Sequence, residues 1–197
     1  MKLDQAKRDS YRRMAKREGY RSRSAFKLIQ LDTKYKILKS NNVVVDFGCA
    51  PGGWLQYISE VIGTKGFALG IDLKQVKSIA KNVITLIADV RDSDIENKIV
   101  SRLPKKADVV TSDLSQSLSG IWELDVARQI DLTSRVVELF PSIIEKRGTA
   151  ILKIFQGGQS DILLNQLKKD FRSVIIVKPP ASRSQSSEVY LLCRGYT

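Results

Sequence analysis

Short apolar runs alternate with amphipathic stretches along this chain. Val43-Val44-Val45, Phe67–Asp72, Asn82–Ala88, Ala107–Ser112 and Thr149–Phe155 have strand length, and aspartates fall at or just beyond the ends of the first four. Continuous runs of this kind predict strands buried on both faces. Between them the apolar spacing turns helical. Leu55, Ile58 and Ile62 mark a helix over Trp54–Ile62 that stops at Gly63, and Ile95–Leu103 reads as a helix stopped by Pro104. A long helical pattern runs from about Leu124 to Ile144, and another follows Gly157-Gly158 and Asp161 through Ile162, Leu163 and Leu167. Upstream, Phe26, Leu28, Ile29 and Leu31 form an amphipathic helix with Ser24 as a candidate N-cap. Val174–Val177 and Val189–Cys193 are the closing strands. Their linker, Lys178–Ser187, is too short for a parallel crossover, so they should form an antiparallel hairpin at the sheet edge. The alternation as a whole predicts an α/β, Rossmann-like fold, with a mostly parallel sheet and helices on both faces.

The passage Asp46-Phe47-Gly48-Cys49-Ala50-Pro51-Gly52-Gly53-Trp54 carries the first chemical signal. A strand passes through a glycine-rich turn into a helix, where bare backbone lets a nucleotide approach. The spacing Gly48-x-x-x-Gly52-Gly53 is not the G-x-G-x-x-G of a dinucleotide site. Trp54 and Leu55 stand where a P-loop needs lysine and serine or threonine. An adenosyl ligand without phosphates fits better, and S-adenosylmethionine is the common one; a tight connection with no ligand would use the same turn. Ligands of open α/β sheets bind beyond the carboxyl ends of the strands, where Asp46, Asp72, Asp89 and Asp113 fall. Asp72 has the spacing for ribose hydroxyls and Asp89 suits an adenine amino group, while Asp46 and Asp113 could balance an ammonium and a sulfonium. Lys153 interrupts an apolar strand, and Glu188 directly precedes the last one. A salt bridge between these two would account for both without any catalytic role.

Composition narrows the class. The chain has 197 residues, 43% of them hydrophobic, enough for a single domain spanning residues 1–197. No apolar run is long enough to span a membrane. The N-terminus is too charged for a secretory signal, and Asp4, Asp9 and Glu18 argue against an organellar presequence. Two cysteines without histidine do not make a usual zinc site, so no metal is expected, and free thiols suit a cytoplasmic setting. Without histidine, acid–base chemistry falls to Lys, Asp, Glu or Tyr. The net charge of +12, from 33 basic and 21 acidic residues, favours a nucleic-acid partner. Residues 1–23 concentrate that charge in Arg8, Arg12, Arg13, Lys16, Arg17, Arg21 and Arg23, with Tyr11 and Tyr20 between them. Such an arm can neutralise phosphates and stack on unpaired bases, although a solvated helix has the same composition. Arg183 in the last linker is a further candidate contact.

These blocks together resemble the FtsJ/RrmJ family of S-adenosylmethionine-dependent RNA ribose 2′-O-methyltransferases. The likeness runs through Gly19–Leu28, Asp46–Trp54 with Gln56-Tyr57, Asp72-Leu73, Asp89–Asp92, Ser112-Asp113, Leu152–Gly157, Lys178-Pro179 and Glu188–Tyr190. It implies a seven-stranded methyltransferase sheet and a Lys-Asp-Lys-Glu tetrad at Lys27, Asp113, Lys153 and Glu188. It also implies cofactor contacts at Gly52, Trp54, Asp72, Asp89 and Asp113, to which the turn itself adds Gly48 and Gly53. Lys153 is the expected base, oriented with the ribose hydroxyl by Lys27 and Glu188, while Asp113 holds the reacting end of the cofactor. Bacterial members acting on large-subunit rRNA resemble Asp-Met-Ala-Pro-Asn where this chain has Asp113-Leu114-Ser115-Gln116-Ser117. The expected partner is RNA, with large-subunit rRNA or the ribosomal subunit preferred, bound by a monomeric enzyme. Methylation of tRNA, a non-catalytic RNA-binding protein and, against the turn spacing, a nicotinamide oxidoreductase are the alternatives.

Overall fold

A computed structural model describes residues 2–117, 119–157, 160–182 and 186–197, with side chains from residue 10 onward. Its seven strands are β1 (Val43–Phe47), β2 (Phe67–Asp72), β3 (Val83–Ile87), β4 (Ala107–Ser112), β5 (Ile144–Phe155), β6 (Phe171–Val177) and β7 (Glu188–Tyr196). They form one sheet in the order β3-β2-β1-β4-β5-β7-β6. Strands β1 to β5 are parallel, while β7 runs antiparallel between β5 and the edge strand β6, as the short last linker requires.

The helices are α1 (Lys2–Arg17), α2 (Ala25–Tyr35), α3 (Gly53–Ile62), α4 (Ile95–Val100), α5 (Trp122–Glu138), α6 (Phe140–Ile143) and α7 (Ser160–Asp170). Alternate strand residues face opposite layers. Val43, Val45 and Phe47 pack with α4, α5, α6 and α7, while Val44 packs with α2 and α3. Both faces of the central strands are therefore buried, which is why their sequences read as unbroken apolar runs. Among the described residues no helix is long and apolar enough to cross a membrane.

Several boundaries differ from expectation. The long pattern up to Ile144 is two helices, because Pro141 has no N–H to donate and restarts the chain as the short α6. That break frees Ile144 to begin β5, five residues ahead of the expected Thr149. Helix α4 ends at Val100 rather than Leu103, and tighter three-residue bonds from the Arg102 and Leu103 N–H groups carry the chain on to Pro104. Strand β3 is trimmed to Val83–Ile87. Ser24 occupies the N-cap position of α2 without capping it; its hydroxyl shares a 2.7 Å hydrogen bond with that of Ser22.

The N-terminal helix is docked. Ala15, Tyr11 and Met14 pack with Phe26 and Ala181, and the Tyr11 and Phe26 rings lie 5.7 Å apart. Gln30 donates to the Tyr11 hydroxyl (3.0 Å) and accepts from the Ala181 N–H (2.8 Å), tying α1 and the last linker to α2.

Candidate functional site

The turn after β1 is built by close approach. Gly48 has φ +76, and a Cβ there would meet the Leu114 backbone nitrogen at 2.8 Å, so the loops after β1 and β4 lie against each other only because the side chain is absent. Gly53 faces the Ser22 hydroxyl, which brings the segment before α2 onto the start of α3. The Trp54 indole N–H donates to the Ser24 carbonyl oxygen at 2.8 Å, and its ring packs 5.8 Å from that of Tyr190. Trp54 is buried there, in the core.

Beyond the carboxyl ends of β1, β2 and β4 lies a cleft of about 580 Å³, whose lining includes Gly48, Asp72, Leu73, Asp89, Val90 and Asp113. Asp72 Oδ2 accepts the Ala50 N–H (2.9 Å) and its Oδ1 the Lys74 N–H (2.9 Å). Asp89 Oδ1 accepts the Arg91 N–H at 2.9 Å. Asp46, at the end of β1, is buried with Oδ1 bound to the Thr111 hydroxyl (2.7 Å) and Oδ2 without a partner. Burial pushes its carboxyl up to about 8 against the Thr111 hydrogen bond, and the neighbouring Asp113 and Asp72 push the same way. Acids gathered in this way repel phosphate and suit hydroxyls, amines and a cation. Cys49 and Cys193 are free thiols, and burial holds both in the neutral form.

The four tetrad positions converge next to this cleft. Lys27 Nζ lies 2.5 Å from Glu188 Oε1. Lys153 Nζ donates to the Asp113 main-chain oxygen (2.9 Å) and sits 3.2 Å from Asp113 Oδ1. The pairing is thus not the Lys153–Glu188 bridge that strand patterning suggested; each lysine has its own carboxylate. Tyr190 joins the two pairs. Its hydroxyl donates to Asp113 Oδ1 (2.8 Å) and accepts from Lys27 Nζ (3.2 Å). Burial, then Asp113 and Glu188, raise the Tyr190 phenol well above its ordinary value, so it remains a donor. Burial alone would raise the Asp113 carboxyl, but Lys153, Lys27 and the bonds from Tyr190 and Lys153 outweigh it and hold that carboxyl below the usual range. The Ser182 hydroxyl gives Glu188 Oε1 a second donor at 3.1 Å.

Gly48, Asp72, Asp89 and Asp113 line the cleft. Gly52, Gly53 and Trp54 do not; they pack the turn against Arg21, Ser22 and Tyr190 instead. Arg21 donates to the carbonyl oxygens of Lys77 (2.6 Å) and Ser78 (2.7 Å), so its guanidinium ties the N-terminal segment to the loop after β2. Arg12, Arg13, Lys16 and Arg17 are exposed on α1, and Arg23 is half-buried. The Arg8 side chain and the whole of Arg183 lie outside the described residues. Tyr190 is the site residue that sequence patterning missed. Its signal was present, since a strand returns the same face every second residue and Tyr190 is two beyond Glu188.

The sequence profile of the FtsJ-like methyltransferase family matches residues 20–196. The ribosomal RNA large subunit methyltransferase E of Methanocaldococcus jannaschii is 44% identical over 197 residues, covering 98% of this chain and 80% of that protein. Its counterpart in Methanothermobacter thermautotrophicus is 39% identical over 191 residues, covering 96% and 90%. A Plasmodium falciparum crystal structure, provisionally named a ribosomal RNA methyltransferase, superposes with a TM-score of 0.79 at 32% identity, covering 90% of this chain and 98% of that one. The chain therefore belongs to the FtsJ-like methyltransferase family.

Proposed function

We propose that this chain transfers a methyl group from S-adenosylmethionine to a ribose 2′-hydroxyl of RNA, with large-subunit ribosomal RNA as the acceptor. The observation that carries it is the pair of lysine–carboxylate contacts, joined by Tyr190, beside a cleft lined with acids.

The cleft suits an adenosyl sulfonium. Asp72 is placed for ribose hydroxyls and Asp89 for an exocyclic amine, while Leu73 and Val90 offer apolar surface to a purine. Buried Asp46 is held in its neutral form, so the counter-charge to the sulfonium falls to Asp113, which lines the cleft and stays ionised. Bound S-adenosylmethionine supplies a methyl group already activated by the sulfonium, open to attack by an alcohol oxygen. What remains for the protein is alignment and removal of one proton.

Lys153 directs two N–H groups at Asp113, leaving its third valence for the acceptor hydroxyl. As an ammonium it holds the oxygen; with that valence a lone pair, it takes the hydroxyl proton. Lys27, anchored by Glu188 and Tyr190, supplies a second donor from the opposite side of the pair. Asp113 stays ionised and fixes Lys153, and its contact with Tyr190 keeps the two amines in register. Such groups are organised before substrate arrives, so little reorganisation remains for the reaction.

The test is incubation with labelled S-adenosylmethionine and large-subunit rRNA, intact ribosomal subunits or tRNA, followed by nuclease mapping of the label. A 2′-O-methylribose in large-subunit rRNA is the expected product. Label confined to tRNA would overturn the acceptor, and label on a base or no transfer at all would overturn the reaction.

A further inference from the structure

The geometry points to Trp122 as a stacking platform for an unpaired base of the acceptor RNA, a subsite that rests on the proposed RNA methyl transfer and specifies how the acceptor is held. Trp122 opens α5 and is 43% exposed, an unusual position for so large an apolar ring on a chain carrying a net charge of +12. Ile121 and Leu124 beside it are exposed as well, so the patch is apolar at its centre.

Its place relative to the tetrad gives the patch a purpose. The Trp122 ring lies 5.8 Å from the ring of Phe155, at an interplanar angle of 37°. Phe155 is two residues beyond Lys153 in β5, about 6.6 Å along the strand at ordinary rise, and is paired in register with Glu188 of β7. Trp122 therefore stands in the α5 layer at the carboxyl edge of the sheet, the edge that also holds the tetrad, backed by a buried ring. The loop leading to it starts at Asp113 itself and lines the cleft through Leu114, Ser115, Gln116 and Ser117.

The platform is also held rigidly. Buried Asp125 accepts the Ser119 N–H (2.8 Å) and hydroxyl (2.7 Å) on Oδ1 and the Gly120 N–H (3.3 Å) on Oδ2, which locks the approach to α5. A preformed, exposed aromatic face suits a flat aromatic partner. An unstacked nucleobase of the acceptor RNA is such a partner, and base–aromatic stacking tolerates any base. Glu123 beside the ring is acidic and exposed, so the platform takes the neutral base itself and leaves the phosphates to basic residues elsewhere.

The chain has two tryptophans, and Trp54 is buried at 3% exposure, so quenching of emission by added RNA reports on Trp122. A short single-stranded oligouridylate should quench the wild-type emission, whereas a base-free ribose–phosphate oligomer of equal length should not. Trp122→Phe, which leaves Trp54 alone, should show no quenching. With a large-subunit rRNA transcript, Trp122→Ala should raise KM roughly tenfold or more, with the smaller change in kcat, and Trp122→Phe should recover most of the loss. Equal quenching by the base-free oligomer, or a wild-type KM in Trp122→Ala, would overturn the subsite. Failure of the wild type to methylate any RNA would instead sink the proposed function, and the fluorescence comparison, which needs no turnover, would still decide whether a base stacks on Trp122.

Discussion

Lys153 Nζ contacts both the main-chain oxygen and Oδ1 of Asp113, at 2.9 and 3.2 Å, so the adjacent parallel strands β5 and β4 are ion-paired at their carboxyl ends. The contact joins a nearly buried ammonium to a carboxylate that its neighbours hold below the usual range. A depressed carboxyl stabilises the fold above its unfolded value and loses that contribution as pH falls through the folded one. Lys153→Met removes the largest compensating charge and leaves burial to raise Asp113. The variant should therefore be less stable than wild type by about 3 kcal/mol near neutrality, and the gap should narrow below about pH 4. Thermal melts across pH measure it; a gap independent of pH would mean that the pair is not what holds Asp113.

Turnover should depend on the same lysine more than cofactor binding does. Lys153→Ala is expected to lower kcat by at least about a hundredfold, while calorimetry with S-adenosylmethionine changes little, because the cleft acids are untouched. Near-normal turnover would remove Lys153 from the role of base. Tyr190→Phe breaks the link between the pairs but leaves each lysine its carboxylate. Its effect on stability should be smaller, about 1 kcal/mol.

Asp46 gives the opposite pH signature. Its folded carboxyl titrates at about 8, far above an unfolded aspartate, so the ligand-free protein loses stability as pH rises from about 4 to about 8. Asp46→Asn should raise Tm clearly at about pH 8.5 and hardly at about pH 4. A Tm gain equal at both pH values would refute the assignment.

The basic arm is best tested by substitution. Removing residues 1–18 would also strip Tyr11 and Ala15 from Phe26, confusing docking with charge. Changing Arg12, Arg13, Lys16 and Arg17 to glutamine should weaken RNA binding and flatten its salt dependence by about 0.7–0.9 for each phosphate that is no longer neutralised. An unchanged slope would place the RNA-binding surface elsewhere.

Gly53→Ala should cost about 1–3 kcal/mol, because the new methyl would enter the space of the Ser22 hydroxyl. Ser22→Ala in the same chain should recover part of the loss. A purely additive double mutant would show that the two residues do not meet.

Local patterning determined much of this protein. Apolar runs marked the strands, the glycine turn marked the cleft, and Asp72, Asp89 and Asp113 were legible because acids at parallel strand ends face a common edge. Even the break at Pro141 was written in the residue type. Tertiary structure alone decided the partners: Lys27 with Glu188, 161 positions away, and Lys153 with Asp113 rather than Glu188. It also sent Trp54 into the core, drew Arg21 to the loop after β2 and made Tyr190 the bridge between ion pairs. These contacts follow from sheet order and register, with β7 inserted beside β5, so that Tyr190 faces Lys153. Periodicity tells a residue which face it occupies; only the packed sheet tells it which distant residue shares that face.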